Sequence, residues 1–320
     1  MKKIRVIFAI LIIYALTFSA NAAQYLIPGG QVIGMELQDN TVTIAAIDED
    51  FGAAAKTAGL KEGDQLLKVD NVPICCAEDV RKALNASRGK VSISLLRNGK
   101  ARQVSCTPTV TAEGPKLGVY LKQGTTGVGT VTYYDPSSGD FAALGHGVNT
   151  KNGELLRLNS GSIYSAQVRS VKKGAVGTPG QLVGALTKAD SIGSISKNTA
   201  QGVFGTLHAS SAATALPTAD PDEIHTGAAT IRSTVEGSTL REYSVEILKI
   251  YPNNTQRTRN MLIKVTDPRL LNTTGGIVQG MSGSPIIQDG KLVGAVTHVL
   301  VNDPTTGYGI FIENMLDAAA

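Results

Sequence analysis

Glycine punctuates this sequence: 35 glycines separate short runs of β-branched and apolar residues, and tryptophan is absent. Such runs suit pleated strands, and glycine supplies the left-handed turns that join them. Helical periodicity is scarce by comparison, so the expected fold class is mainly β. At 320 residues the chain exceeds one typical domain, and two domains are expected. Hydrophobic residues at 42% and charged residues at 18% suit a globular protein with a real core. The formal net charge of +4 owes much to Lys2, Lys3 and Arg5. No Lys/Arg block is interleaved with aromatics, which argues against a nucleic-acid partner.

Residues 1–22 read as a signal peptide or a membrane anchor. Lys2, Lys3 and Arg5 give a positive start, Val6 to Phe18 is a largely apolar run of 13, and Ala20-Asn21-Ala22 supplies small residues for cleavage. Thirteen residues are short for a bilayer span, which needs roughly 20. With either device, the rest of the chain is expected to work outside the cytoplasm. Cys75, Cys76 and Cys106 form neither a disulfide framework nor a zinc pattern. Free buried thiols are expected, with one bridge from Cys106 to either of the others left open. No cluster suggests a metal or an organic cofactor.

The polar, proline-bearing stretch at residues 107–116 reads as a linker between two units. The first, residues 25–106, has the size of a small module. Val42 to Ile47 suits a strand, Ala53 to Ala58 a short helix with Gly59 just past its end, and Leu66 to Val72 a strand entering a turn. Ala77 to Leu84 is expected to be helical, with Glu78 and Asp79 in its first turn, where the helix dipole favours acids. Val91 to Leu96 reaches Arg97-Asn98-Gly99-Lys100 as a hairpin turn. The second unit, residues 117–320, suits a pair of β-barrels or a sandwich. Within it Arg241 to Ile250 alternates, with Tyr243, Val245 and Ile247 on one face. Pro285 to Val301 reads as a hairpin turning at Gln288-Asp289-Gly290-Lys291, followed by a strand at Tyr308 to Ile312 and a short terminal helix.

The order of elements in the first unit resembles a PDZ domain. Ala58-Gly59-Leu60-Lys61-Glu62-Gly63-Asp64 followed by Leu67-Lys68-Val69-Asp70-Asn71 carries the match. On that resemblance, the loop Pro28-Gly29-Gly30-Gln31 and the strand Val32-Ile33-Gly34-Met35 form a peptide-binding edge. Gly29 and Gly30 would free N–H groups for a carboxylate, and Val32 and Ile33 would pair with an added strand.

The residues that can do chemistry lie in the second unit. A serine hydroxyl attacks only when a base takes its proton and donors hold the oxyanion that forms. In Gly280-Met281-Ser282-Gly283-Ser284-Pro285, glycines on both sides allow a tight turn that presents Ser282, and the N–H groups of Gly280 and Ser282 are the candidate oxyanion hole. Of the four histidines, His146 stands between Gly145 and Gly147 in an apolar run, with room for a neighbour to approach. His208 and His225 lie in polar stretches that read as loops, and His298 reads as an ordinary strand residue after the serine hairpin. For an orienting acid, position alone gives Asp267 little over Asp140, Asp190 or Asp303.

Leu144-Gly145-His146-Gly147, the Gly-Met-Ser-Gly-Ser-Pro turn and an N-terminal PDZ-like module, in this order, resemble the SpoIVB peptidase family. The resemblance implies a trypsin-like double β-barrel with His146 as base, Asp267 as orienting acid and Ser282 as nucleophile. It further implies a self-cleaving endopeptidase in a sporulation signalling cascade, located in an intermembrane space, with peptide or protein substrates. Asn149 and Thr150 stand where that family often carries an acidic residue. The competing expectation is a secreted PDZ peptide-binding protein with an inactive peptidase domain.

Overall fold

The computed structural model describes residues 24–150, 153–208, 213–254 and 257–320; the expected leader at 1–22 lies outside them. In chain order come β1 (Tyr25–Pro28), β2 (Val32–Ile47), β3 (Gln65–Val69), β4 (Val72–Pro73), β5 (Val91–Arg97) and β6 (Lys100–Cys106). The hairpin of β7 (Thr109–Thr111) and β8 (Gly114–Lys116) leads into β9 (Val119–Tyr134). Next are β10 (Asp140–Ala143), β11 (Ser160–Lys172), β12 (Gln181–Thr199), β13 (Gly202–Leu207) and β14 (Leu216–Pro217). The C-terminal part holds β15 (Gly227–Glu236), β16 (Thr239–Ile250), β17 (Met261–Val265), β18 (Pro285–Gln288), β19 (Lys291–Leu300) and β20 (Asp303–Phe311).

Two barrels result. The C-terminal one closes in the order β15-β16-β17-β20-β19-β18. Its interior holds the face read from the alternation, with Tyr243, Val245 and Ile247 at 3%, 2% and 0% exposure. The N-terminal barrel runs β9-β10-β13-β12-β11-β2 and closes where β2 pairs again with β9. The terminal helix Ile312–Ala319 plugs the seam, its buried Ile312 and Met315 packing against Leu26, Tyr133 and Phe204.

The PDZ-like unit is not strung before the barrels but grows out of one of them. β2 and β9 are each 16 residues long, and they pair along two stretches, Val32–Leu37 with Thr125–Thr130 and Val42–Ile47 with Val119–Gln123. The first stretch closes the barrel; the second joins β3, β5 and β6 around a separate core that includes Val42, Ile44, Leu66, Val80 and Ile93. The register break between them falls near Asp39, whose carboxylate accepts from Thr41 N at 2.9 Å. Residues 107–116, read as a linker, instead carry the β7–β8 hairpin.

The peptide-binding edge expected at Gly29, Gly30, Val32 and Ile33 needs correction. Val32 and Ile33 face Thr130 and Gly129 of β9, and Ile33 also faces Ser165 of β11, so no free edge remains there for an added strand. The Gly29 and Gly30 N–H groups donate to Thr132 and Val131 carbonyls at 2.9 and 2.8 Å. Gly30 has φ +107°, and its carbonyl accepts from Thr234 Oγ1 at 3.0 Å, so this loop ties the N-terminal barrel to the C-terminal one.

Local signals in the PDZ-like unit are realised as read. The helix Ala77–Ala86 is capped by Asp79, which accepts from Cys75 N and Cys76 N at 2.9 and 3.1 Å. Asn98 and Gly99 both take positive φ, 52° and 72°, as the tight hairpin requires. In the Gly-Leu-x-x-Gly-Asp turn, fully buried Asp64 accepts from Arg97 Nε and Nη2 at 2.7 Å each and from Lys61 N at 2.9 Å. All three cysteines are free as expected, but the expected burial holds for Cys106 alone: Cys75 is exposed and Cys76 half-buried where the chain enters the helix Ala77–Ala86.

Candidate active site

Three segments meet in the groove between the barrels: Thr130 on β9, the turn after β10, and the turn before β18. Thr130 clamps the serine turn from one side. Its Oγ1 donates to Gly280 O at 2.7 Å and its N–H to Ser282 O at 3.2 Å. The N–H groups of Gln279, Met281, Gly283 and Ser284 donate to Gly180, Val278, Val296 and Met281 carbonyls at 3.0, 3.1, 2.7 and 2.9 Å. The N–H groups of Gly280 and Ser282 are left without an acceptor among the described residues. With their carbonyls turned to Thr130, these two donors are spare. Fully buried Met281 anchors the turn beneath them.

The histidine turn needs unusual backbone. Leu144 and Gly145 take successive left-handed conformations, φ 71° and 66°. For Leu144 that costs about 1–2 kcal/mol, offset by burying its side chain at 5% exposure. The two turns are in direct contact. A Cβ on Gly283 would lie 2.1 Å from Thr130 O and 2.5 Å from Leu144 N, so only glycine allows this approach.

His146 lies partly buried beyond Gly145, with Nδ1 2.9 Å from the Gly147 carbonyl. A carbonyl only accepts, so Nδ1 carries the proton of the neutral ring and Nε2 is left as the basic nitrogen. Burial holds this imidazole below its ordinary pKa, and the bond to Gly147 opposes that in part. Ser282 Oγ donates to the Thr297 carbonyl at 2.7 Å rather than to an imidazole. His298, the next residue along β19, has its ring centroid 5.1 Å from that of His146, the planes tilted by 40°. Burial, then the neighbouring His146 and Arg259, push its pKa down to about 4. His146, His298 and Gly280 share one cleft of about 470 Å³, whose other walls include Met35, Leu37, Val128 and Val148. Among the described residues no carboxylate, lysine or arginine lines it.

The structure therefore lines one cleft with Gly280, His146 and His298, the last of which sequence reading left as a strand residue, and sets the Ser282 turn against the histidine turn through Gly283 and Leu144. Asp267 has another occupation. It is the N-cap of the helix Pro268–Thr274, 4% exposed, and accepts from the N–H groups of Arg269, Leu270 and Ser244 at 2.8, 3.4 and 3.3 Å. Arg269 adds Nη2 at 2.7 Å and Nε at 3.1 Å. Led by the Arg269 bond, these donors hold the carboxyl down at about 2. None of its hydrogen bonds goes to His146. Of the remaining histidines, His208 is exposed at the end of β13, and exposed His225 pairs through Nε2 with Asp289 at 2.8 Å.

The family SpoIVB peptidase S55 matches residues 113–316, and the PDZ domain family matches residues 26–96. A protein of Agrobacterium fabrum named as a zinc metalloprotease is 32% identical over 90 residues, 28% of this chain and 23% of that protein. The chain thus spans about a quarter of that relative's length. Among solved structures, the Rv3671c protease of M. tuberculosis in its active form is 15% identical with a TM-score of 0.37, over 60% of this chain and 72% of that one. The PDZ domain of an SdrC-like protein of Listeria monocytogenes is 20% identical with a TM-score of 0.22, over 26% and 87%.

Proposed function

This chain belongs to the SpoIVB peptidase S55 family, and from that premise we propose an endopeptidase in which Ser282 attacks the substrate carbonyl and His146 is the base. The Ser282 hydroxyl leaves the Thr297 carbonyl by rotation about its side chain, gives its proton to His146 Nε2, and bonds to the carbonyl carbon of the substrate. The oxygen of that carbonyl takes up negative charge and is held by the N–H groups of Gly280 and Ser282. His146 then returns the proton to the leaving amine, and water releases the acyl group by the same steps. The observation that carries this reading is the pair of spare N–H groups, at Gly280 and at Ser282 itself, in a turn whose other N–H groups, of Met281, Gly283 and Ser284, are all bonded.

The test is labelling of the purified protein with a fluorophosphonate. Labelling at Ser282, absent in Ser282→Ala and reduced at least about 100-fold in His146→Ala, is the expected result. Equal labelling in Ser282→Ala would overturn the assignment. The same family membership, with the leader pattern at residues 1–22, supports an enzyme that works outside the cytoplasm, cleaves its own chain and serves a sporulation signalling cascade. A second reading, a peptide-binding protein with an inactive peptidase domain, is favoured by the Ser282 bond to Thr297 O. It predicts no labelling at all.

A further inference from the structure

A serine peptidase base needs a partner that holds its ring and favours its charged form while the proton is in transit. Asp267 is engaged in capping a helix, and among the described residues no carboxylate lines the cleft. The Gly147 carbonyl fixes the tautomer of His146, but it belongs to the adjacent residue of the same turn.

The group packed against His146 from the opposite barrel is His298. Three observations single it out. Its ring stands 5.1 Å from that of His146, in the same cleft. It follows Thr297, whose carbonyl holds the Ser282 hydroxyl, so one short piece of β19 touches both the nucleophile and the base. Its Nδ1 is buried and has no hydrogen-bond partner among the described residues. An unsatisfied buried nitrogen costs about 1–3 kcal/mol, which a phenylalanine of the same shape would avoid. A ring kept only for packing has no use for that nitrogen.

Resting on the reading of Ser282 and His146 given above, we infer that His298 is a positioning residue of the peptidase centre. Its ring fixes His146 across the groove, and its ring nitrogens supply the neutral dipole that favours the imidazolium, the place the family resemblance implied for Asp267. His298 must be uncharged to do this. The charged and titratable groups around it are His146, Arg259 and Tyr308, which stands opposite it in the β19–β20 register. No carboxylate is among these groups.

The experiment is the saturation kinetics of fluorophosphonate labelling at Ser282 in the full chain, comparing His298→Gln and His298→Phe with the wild type. Glutamine keeps a polar acceptor and loses the ring; phenylalanine keeps the ring and loses the nitrogens. The expected result is a maximal labelling rate about 100-fold lower for His298→Phe and within about 10-fold of wild type for His298→Gln, with the half-saturating concentration unchanged in both. Thermal melting of both variants verifies that each is folded. Phenylalanine equal to or better than glutamine makes His298 a packing residue and overturns the inference while leaving the Ser282 and His146 assignment intact. Absence of Ser282-dependent labelling in the wild type overturns both.

Discussion

Asp267 shows how much one carboxylate can contribute by capping a helix. Its pKa of about 2 in the folded chain lies below the ordinary 3.8. Its stabilisation is therefore fully present above about pH 4 and is lost as pH falls through 2, a contribution of about 2 kcal/mol. Asp267→Asn is expected to lower stability by about 1–2 kcal/mol at pH 7 in urea unfolding, and by progressively less at pH 3 and below. Labelling of Ser282 in the folded variant should be unchanged. Labelling that collapses while stability holds would return Asp267 to the catalytic centre. Position in the sequence cannot separate these roles, because it gives Asp267 little over Asp140, Asp190 or Asp303 as an orienting acid. Ser282 and His146 are legible because each carries its own local mark, a flanking pair of glycines. His298 carries none: its meaning depends on a ring brought to it from the other barrel.

At the scale of elements, the serine turn and the histidine turn work as one piece because Gly283 has no side chain. Gly283→Ala must push Thr130 O and Leu144 N away, and its φ of 95° is itself poorly suited to alanine. Labelling at Ser282 is expected to fall at least about 10-fold, by a change that removes no functional group. A fully active Gly283→Ala would contradict the contact between the turns. Hairpin turns at Asn98-Gly99 and Asp289-Gly290 and the capped helix at Ala77–Ala86 are readable from the sequence because the residues that dictate them are adjacent. Strand partners are not. The alternation around Val32 and Ile33 says that a strand is present, while the identity of its neighbours is settled by β9 and β11, far along the chain.

For the whole molecule, the shared strands carry the main consequence. β2 and β9 pass without interruption from the barrel into the PDZ-like unit, so the two are expected to unfold together. Arg97→Ala leaves the fully buried Asp64 carboxylate without its ion-pair partner, at a cost of about 3 kcal/mol. In calorimetry this variant should melt at lower temperature in a single transition, with Ser282 labelling lost at that same temperature; a separate early transition that spares labelling would show independent units. The central claim, that a partly buried His146 is the base for Ser282 in the groove between the barrels, is tested most directly by the pH dependence of labelling. A base works only when neutral, and burial holds His146 below its ordinary pKa of 6.5. The labelling rate of the wild type should therefore rise with pH to half its plateau below pH 6.5, and this limb should vanish in His146→Ala. A half-maximum at or above pH 6.5, or a limb that survives in His146→Ala, would contradict it.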